Sequence, residues 1–436
     1  MTAAEGMLDA ASDVQAQPTV VPAGGRTRLL FLLYDPLPPF RPDVVTLFGQ
    51  ELPKLGIDAD LLGQGRLTHA DGSDATWPAG AMWSTGPLRK GLLGELTRPW
   101  HDLRGMLRRL TPQHRVIQVR DKIRTGLIGL VVARLTGRRF TYWMSFPFAE
   151  GFKVRAQQVG SSQGRLVQAG NYLRAALAGP IFYKLVAPRA DRLFVQSEAM
   201  LEFMAAKGVP RERMTAVPMG VDLDVFNAAA PLSPRPQRLQ GREVVAYLGV
   251  LGRARQSDFL IKVFSRIRQE RPKALLLLIG DGPSPDEQHW MRDQIAISGL
   301  SEEDVWLTGW LPQQEAVALL RHASVALSPV PRGALYDVSS PTKAVEYLAL
   351  GIPCVGSDIP DQEFVLKLSG GGLSVQMTME DFAQATLQIL GNHGLAAHLR
   401  ASGPSWVAGN RSYGVLSQDV ANVYLALRRT TKSPLS

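Results

Sequence analysis

The chain has 436 residues, 45% hydrophobic and 20% charged, which suffices for two domains with their own cores and is the balance of a globular protein. No apolar run reaches the roughly 18 residues needed to cross a bilayer. The net charge of +9 is lopsided: residues 1–200 hold 25 Lys/Arg against 16 Asp/Glu, whereas residues 201–436 hold 23 of each, so an anionic partner is expected for the first half alone, unless the excess is a solvated basic face.

Residues 1–25 have neither the basic nor the apolar region of a secretory signal and read as a disordered tail. Strand RLLFLLYD (28–35), a helix near 44–55 and strand DADLL (58–62) follow. Residues 64–88 show no period and read as loop. Residues 89–110 form a basic amphipathic stretch with a break at Pro99. It carries Leu92, Leu93, Leu96, Trp100, Leu103, Met106, Leu107 and Leu110, with arginines interleaved. With the aromatic and basic run 139–155 it either docks on an anionic membrane or covers the sheet with its arginines outward. VIQVR (116–120) is a strand, 125–137 a helix closed by Gly137, and RFTYWMSF (139–146) a strand. Residues 164–188 read as a helix interrupted near Gly179–Pro180. RLFVQS (192–197) is a strand whose Ser197 caps the helix 198–208.

After 214–226, the Pro-rich stretch 231–242 reads as a domain boundary. Strands at 243–251, 274–283, 305–310 and 325–330 then alternate with helices at 258–271, 285–299 and 312–323, the pattern of a doubly wound α/β domain. A last helix spans about 413–430. The expected division is an N-terminal domain 26–212, a linker 213–242, a C-terminal domain 243–412, and a helix 413–436 returning to the N-terminal domain. Cys354 is the only cysteine; it has no disulfide partner within the chain and fits a buried, inert thiol in a reducing cytoplasm.

The most specific segment is SSPTKAVEYLALGIPCVGSD (339–358). A hydroxyl-rich turn leads into a helix with Lys343 in its first turn and Glu346 on nearly the same face. Free N–H groups and a lysine at a helix start suit phosphate, and a carboxylate accepts from two vicinal hydroxyls. This block resembles the donor-binding helix of GT-B glycosyltransferases of family 4. VPMGVDLDVF (217–226), AYLGVLGRARQSDFLIKVF (246–264), LLLIGDGP (276–283) and VWLTGWLPQQE (305–315) are similar to further blocks of that family, in the same order.

The resemblance implies two Rossmann-like domains facing across a cleft. It also implies transfer of a sugar from a nucleotide-diphospho-sugar, with retention of configuration and without a metal. Arg255, Lys343 and Glu346 are the implied catalytic residues. The two cations steady the departing diphosphate, and Glu346 holds the ribose. The family's arginine position is Val250, for which Arg253 would compensate. The family's first carboxylate falls at Val338, with Asp337 the nearest acid. Ser339, Ser340, Pro341 and Thr342 complete the phosphate turn, and Gly249 and Gly282 let the donor approach the backbone. Gly309, Trp310 and Leu311 would border the base, Trp310 being either a stacking platform or a core aromatic. On the acceptor side, Ser145 stands where the family often has histidine. Glu150 offers a carboxylate, and Arg120 and Lys122 follow a strand at its ligand-binding end; Arg120–Asp121–Lys122 reads equally as a self-neutralising turn.

No histidine pair or D-x-D suggests a metal site, and no cofactor is expected beyond the donor co-substrate. The implied acceptor is a glycan or lipid-linked molecule for cell-surface polysaccharide. The expected location is cytoplasmic, with peripheral docking on the inner membrane face through the basic half. No nucleic-acid module is present. Two rivals stand: a non-catalytic GT-B subunit that binds a partner glycosyltransferase or a membrane, and a nucleotide-sugar 2-epimerase.

Overall fold

The computed structural model describes residues 25–68, 74–87, 91–158 and 165–429. The expected disordered tail lies outside these except for Gly25. Thirteen strands are described, in two sheets whose ladders are all parallel. The first seven are β1 (Thr27–Leu37), β2 (Ile57–Gly65), β3 (Met82–Ser84), β4 (His114–Arg120), β5 (Arg139–Met144), β6 (Arg192–Val195) and β7 (Met214–Ala216). They lie in the order β3-β2-β1-β4-β5-β6-β7. The other six are β8 (Glu243–Leu248), β9 (Ala274–Ile279), β10 (Val305–Leu307), β11 (Val325–Ser328), β12 (Cys354–Ser357) and β13 (Gly372–Val375), in the order β10-β9-β8-β11-β12-β13. Near-continuous apolar strands such as Leu29–Leu33 and Ala274–Ile279 are buried on both faces, as helices on both sides of a parallel sheet require. Each sheet reverses its winding once, between β1 and β4 and between β8 and β11, and ligands of such folds collect at the carboxyl ends there.

Several expectations are corrected. Strand β3 lies in the segment read as loop, because three residues leave no visible period. The helix Gly91–Arg109 runs through Pro99 unbroken. A proline removes only one hydrogen bond of the ladder, and the seating of Met106 and Leu103 in the N-terminal core holds the helix together. That settles one face of this helix as a cover for the sheet, while Trp100 and Leu107 stay 65% and 63% exposed. The side chains of Leu92, Leu93 and Leu96 lie outside the described set. At Pro180 the long helix does not stop; it passes from Arg165–Pro180 into a wider-wound turn, Ile181–Val186. Helices Phe148–Gln158, Pro360–Ser369, Met379–Gly391 and His393–Asn410 and strands β7 and β13 add to the elements read from sequence. Ser197 does cap its helix, accepting from the Met200 amide at 2.9 Å. Cys354 is fully buried, and burial pushes its thiol well up.

The last helix, Tyr413–Arg429, packs on the N-terminal sheet. Tyr424 is completely buried there, edge-on to Phe48 and tilted against Phe194, and its hydroxyl donates to Gln118. The chain thus crosses twice between domains, and Val221 pairs with the crossing point through backbone bonds to Arg411 (2.8 Å) and Tyr413 (3.1 Å). Truncating a buried large aromatic to alanine costs about 3–5 kcal/mol. We expect Tyr424→Ala to lower the unfolding free energy by that amount in a urea titration. An unchanged midpoint would mean that the returning helix is not part of the N-terminal core.

Candidate active site

Three neighbouring strands of the C-terminal sheet, β8, β9 and β10, run out onto Gly249, Gly280 and Gly309, all with positive φ (146°, 133° and 72°). A Cβ on Gly280 would fall 2.2 Å from the Gly249 carbonyl oxygen, and one on Gly249 would fall 2.9 Å from Lys343 Cε. Glycine is therefore required for the strand ends to close ranks beneath the lysine. The helix Thr342–Ala349 enters from the β11 side. Its inner face, Ala344, Val345, Tyr347, Leu348 and Ala349, is buried, and the Tyr347 hydroxyl accepts from the Leu248 amide at 2.9 Å. Its start has Pro341 in the capping position and no side-chain cap, so first-turn amides remain available to a ligand.

These elements enclose a cleft of about 370 Å³ lined by Gly249, Val250, Gly280, Trp310, Leu311, Thr342, Lys343 and Glu346 among others. Lys343 lies over the Tyr247 ring at 5.3 Å and makes no ion pair among the described residues. Burial pushes the Glu346 carboxyl above its ordinary range, against the pull of Lys343 and a hydrogen bond from Thr342. Trp310 is 57% exposed, which excludes the core-aromatic reading. Phe226, Gln313 and Gly280 were not anticipated as cleft residues; the Gly280-Asp-Gly pattern after an apolar strand was the signal for the last.

Other candidates fall elsewhere. Arg255 is exposed on the turn after β8. Arg253 does not turn toward the place left by Val250: its amide and guanidinium both bond Glu287 (2.8 and 3.3 Å), and it stacks on Trp290. Gly282 serves packing, since a Cβ there would lie 2.7 Å from backbone atoms of Glu287 and Gln288. Asp337 is not among the cleft's lining residues. Arg332 bonds it at 2.8 Å and, despite partial burial, holds its carboxyl below the usual range. Val338 is buried in the N-terminal core, and the Ser197 hydroxyl donates to its carbonyl at 2.7 Å. Ser340 Oγ accepts from the Met219 amide at 2.9 Å, and Ser339 Oγ donates to the Tyr336 carbonyl at 2.6 Å. The serines thus fasten the turn, with Ser340 and Val338 tying it to the opposite domain.

The N-terminal side holds corrections too. Arg120 is 1% exposed and bonds Asp43 (3.0 Å) and Asp121 (3.3 Å). Burial opposes its charge, but Asp43, Asp121 and Asp35 outweigh that and hold it protonated. Lys122 is buried with both oxygens of Asp102 at 3.0 Å. Neither cation is open to an anionic acceptor. Glu150 accepts from the Tyr183 hydroxyl and lies 3.8 Å from Lys207. Ser145 donates to Asp121 through its amide (2.8 Å) and its hydroxyl. Asp121 itself, read earlier only as a neutralising charge, adopts φ 59° at the end of β4 and lines a second pocket. Among the described residues no three His, Cys, Asp or Glu side chains form a metal site.

Two Rossmann-like sheets closed on a cleft at the carboxyl ends of one of them define the GT-B architecture. The chain belongs to the glycosyltransferases of this fold and of the family 4 type: residues 18–220 match the "Glycosyl transferase 4-like domain" and residues 242–392 match "Glycosyl transferases group 1". It is 26% identical over 184 residues to the putative glycosyltransferase EpsF of Bacillus subtilis, covering 41% of this chain and 45% of that protein. It is 26% identical over 238 residues to a GDP-mannose-dependent alpha-(1-6)-phosphatidylinositol monomannoside mannosyltransferase of Mycobacterium tuberculosis, covering 52% of this chain and 60% of that one. The chain therefore spans about half the length of the curated relatives it matches. In fold it is similar to sucrose-phosphate synthase of Thermosynechococcus elongatus, with a TM-score of 0.70, 17% identity, and coverage of 93% and 100%.

Two measurements test this geometry. A residue with a Cβ in left-handed backbone costs about 1–2 kcal/mol. Gly309→Ala, whose Cβ meets nothing within 4 Å, should lose that much in a denaturant melt, and Gly280→Ala at least twice as much. Equal losses would contradict the close approach of the strand ends. Because the folded Glu346 binds its proton more tightly than the unfolded chain does, its contribution to stability falls as pH rises from the unfolded value, about 4.3, through the raised folded one. Glu346→Gln should flatten that part of the stability profile; a profile parallel to wild type would place the carboxyl in water.

Proposed function

We propose that the protein transfers a sugar from a nucleotide-diphospho-sugar to a glycan or lipid-linked acceptor, in the synthesis of a polysaccharide or glycolipid. The observation that carries this is the single cleft joining an uncapped helix start, Lys343, Glu346 and the strand ends at Gly249 and Gly280. In this reading the diphosphate lies at the amides of the first turn beside Lys343. The ribose bonds Glu346, and the base lies against Trp310 and Leu311. As the acceptor oxygen bonds the anomeric carbon, the bond from that carbon to the diphosphate oxygen breaks. The acceptor's proton passes to the departing diphosphate, and Lys343 and the helix amides steady its growing charge. Retention of configuration and independence from metal belong to this proposal on the strength of the family resemblance. So does a cytoplasmic site of action at a membrane face, which the exposed Trp100 and Leu107 on a basic helix support. No helix among the described residues is long and apolar enough to cross a membrane.

A second reading, a non-catalytic subunit of the same fold, is favoured by one observation: Val338, at the place of the family's carboxylate, is buried in the N-terminal core. Calorimetry with UDP-, GDP- and ADP-sugars in the presence of a chelator separates the readings. One nucleotide-sugar should bind saturably, and Glu346→Ala and Lys343→Ala should each weaken it at least about tenfold, roughly 1.4 kcal/mol. Its turnover with an acceptor extract supports the enzyme. Binding without turnover supports the subunit, and no binding by a folded protein removes the donor assignment.

A further inference from the structure

The N-terminal sheet has a pocket of its own at its switch point, distinct from the donor cleft. It is lined by Tyr34 from β1, by Asp121–Thr125 just after β4, by Arg98 and Pro99, and by Phe152, Leu177, Ala178 and Ile181 from the helices above. Two of its charges are cancelled internally, Asp121 by Arg120 and Lys122 by Asp102. Arg98 stacks on Tyr34 at 5.2 Å and donates to Gln64 at 3.1 Å. Arg124, in the first turn of the helix Ile123–Leu135, is exposed and makes no ion pair among the described residues. The Thr125 hydroxyl is turned to Asp102 at 2.7 Å, and the rest of the wall, from Pro99, Ile123, Phe152, Leu177, Ala178 and Ile181, is apolar.

The cavity, about 90 Å³, is smaller than the 150 Å³ that holds a benzene, so a ligand seats only part of itself there. Its apolar wall continues outward, because Leu177 is 49% exposed and Leu173 and Tyr172, one turn back on the same helix, are 62% and 49% exposed. Trp100, one residue beyond the lining Pro99, is exposed as well. A cation at the mouth, an apolar wall and an apolar track leading away fit a molecule with an anionic group joined to a hydrocarbon chain. Sugars and free polyanions do not use such a track.

We propose that this pocket binds a prenyl-phosphate type of ligand, with the phosphate at Arg124 and the chain along Ile181, Leu177 and Leu173. If the transferase reading holds, this ligand is the anionic lipid end of the acceptor, and the inference rests on that reading only for the word acceptor.

Binding is tested on the full chain with four probes: farnesyl phosphate, farnesol, inorganic phosphate, and phosphatidylcholine vesicles containing phosphatidylglycerol. Farnesyl phosphate should bind saturably and at least about tenfold more tightly than farnesol or inorganic phosphate. Arg124→Ala and Leu177→Glu, both at exposed positions, should keep the wild-type melting curve and each weaken binding about tenfold. Arg134→Ala, at the far end of the same helix and held by Asp191 at 3.2 Å, should not change it. The inference is overturned if farnesyl phosphate does not bind, if inorganic phosphate alone binds as well, if it binds only where anionic vesicles do, or if neither substitution matters. Nucleotide binding is read on the same samples. Nucleotide without farnesyl phosphate binding sinks the pocket and leaves the transferase standing; the reverse leaves the pocket and removes the transferase.

Discussion

Three strands ending on glycine set the terms for the cleft of the C-terminal domain. Gly249 and Gly280 let backbone meet backbone where side chains would otherwise intervene, and Gly309 supplies only the left-handed turn; the 2.2 Å gap between the missing Gly280 Cβ and the Gly249 oxygen leaves no room for a substitute. Their closeness lets Lys343 lie across Gly249 onto Tyr247 instead of reaching into solvent. That in turn puts its charge beside the uncapped helix start and Glu346. The raised proton affinity of Glu346 follows from the same enclosure, since the wall that excludes water also disfavours its charge.

The two domains handle charge in opposite ways. In the N-terminal domain the cations at the end of β4 are buried against Asp43, Asp121 and Asp102. Breaking such a pair leaves an uncompensated buried charge, so these residues hold the strand end in place. In the C-terminal domain neither Lys343 nor Arg255 makes an ion pair among the described residues, and a site for a polyanion needs cations that are not already paired. The formal excess of positive charge in the first half thus overstates how much of it a ligand can reach.

The turn before the helix Thr342–Ala349 couples these halves. Val338 enters the N-terminal core, Ser197 bonds its carbonyl, and Met219 bonds Ser340. Arg411 is bonded to Asp361 at 2.7 Å close to where the chain crosses back. Any change in the angle between domains must therefore break or carry along the turn that positions Lys343.

By itself the sequence determined the alternation of strand and helix, the location of the helix that carries Lys343 and Glu346 on one face, and the capping role of Ser197. Each of these rests on local chemistry: period, caps, and residues one helical turn apart. Gly249 was picked out only by the family resemblance, and its close approach to Lys343 was not legible in the sequence. What it left open depends on partners far along the chain. Arg120 and Lys122 look like ligand cations until Asp43 and Asp102, 77 and 20 residues away, are brought against them. Arg253 looks free until Glu287 and Trp290 arrive from the helix Pro285–Ile297. Val338 looks like a lost carboxylate, whereas in three dimensions it is an apolar anchor in the other domain. Whether a charge is open or consumed is decided by tertiary contact, because the same side chain at the end of the same strand is neutralised or exposed according to what packs beside it.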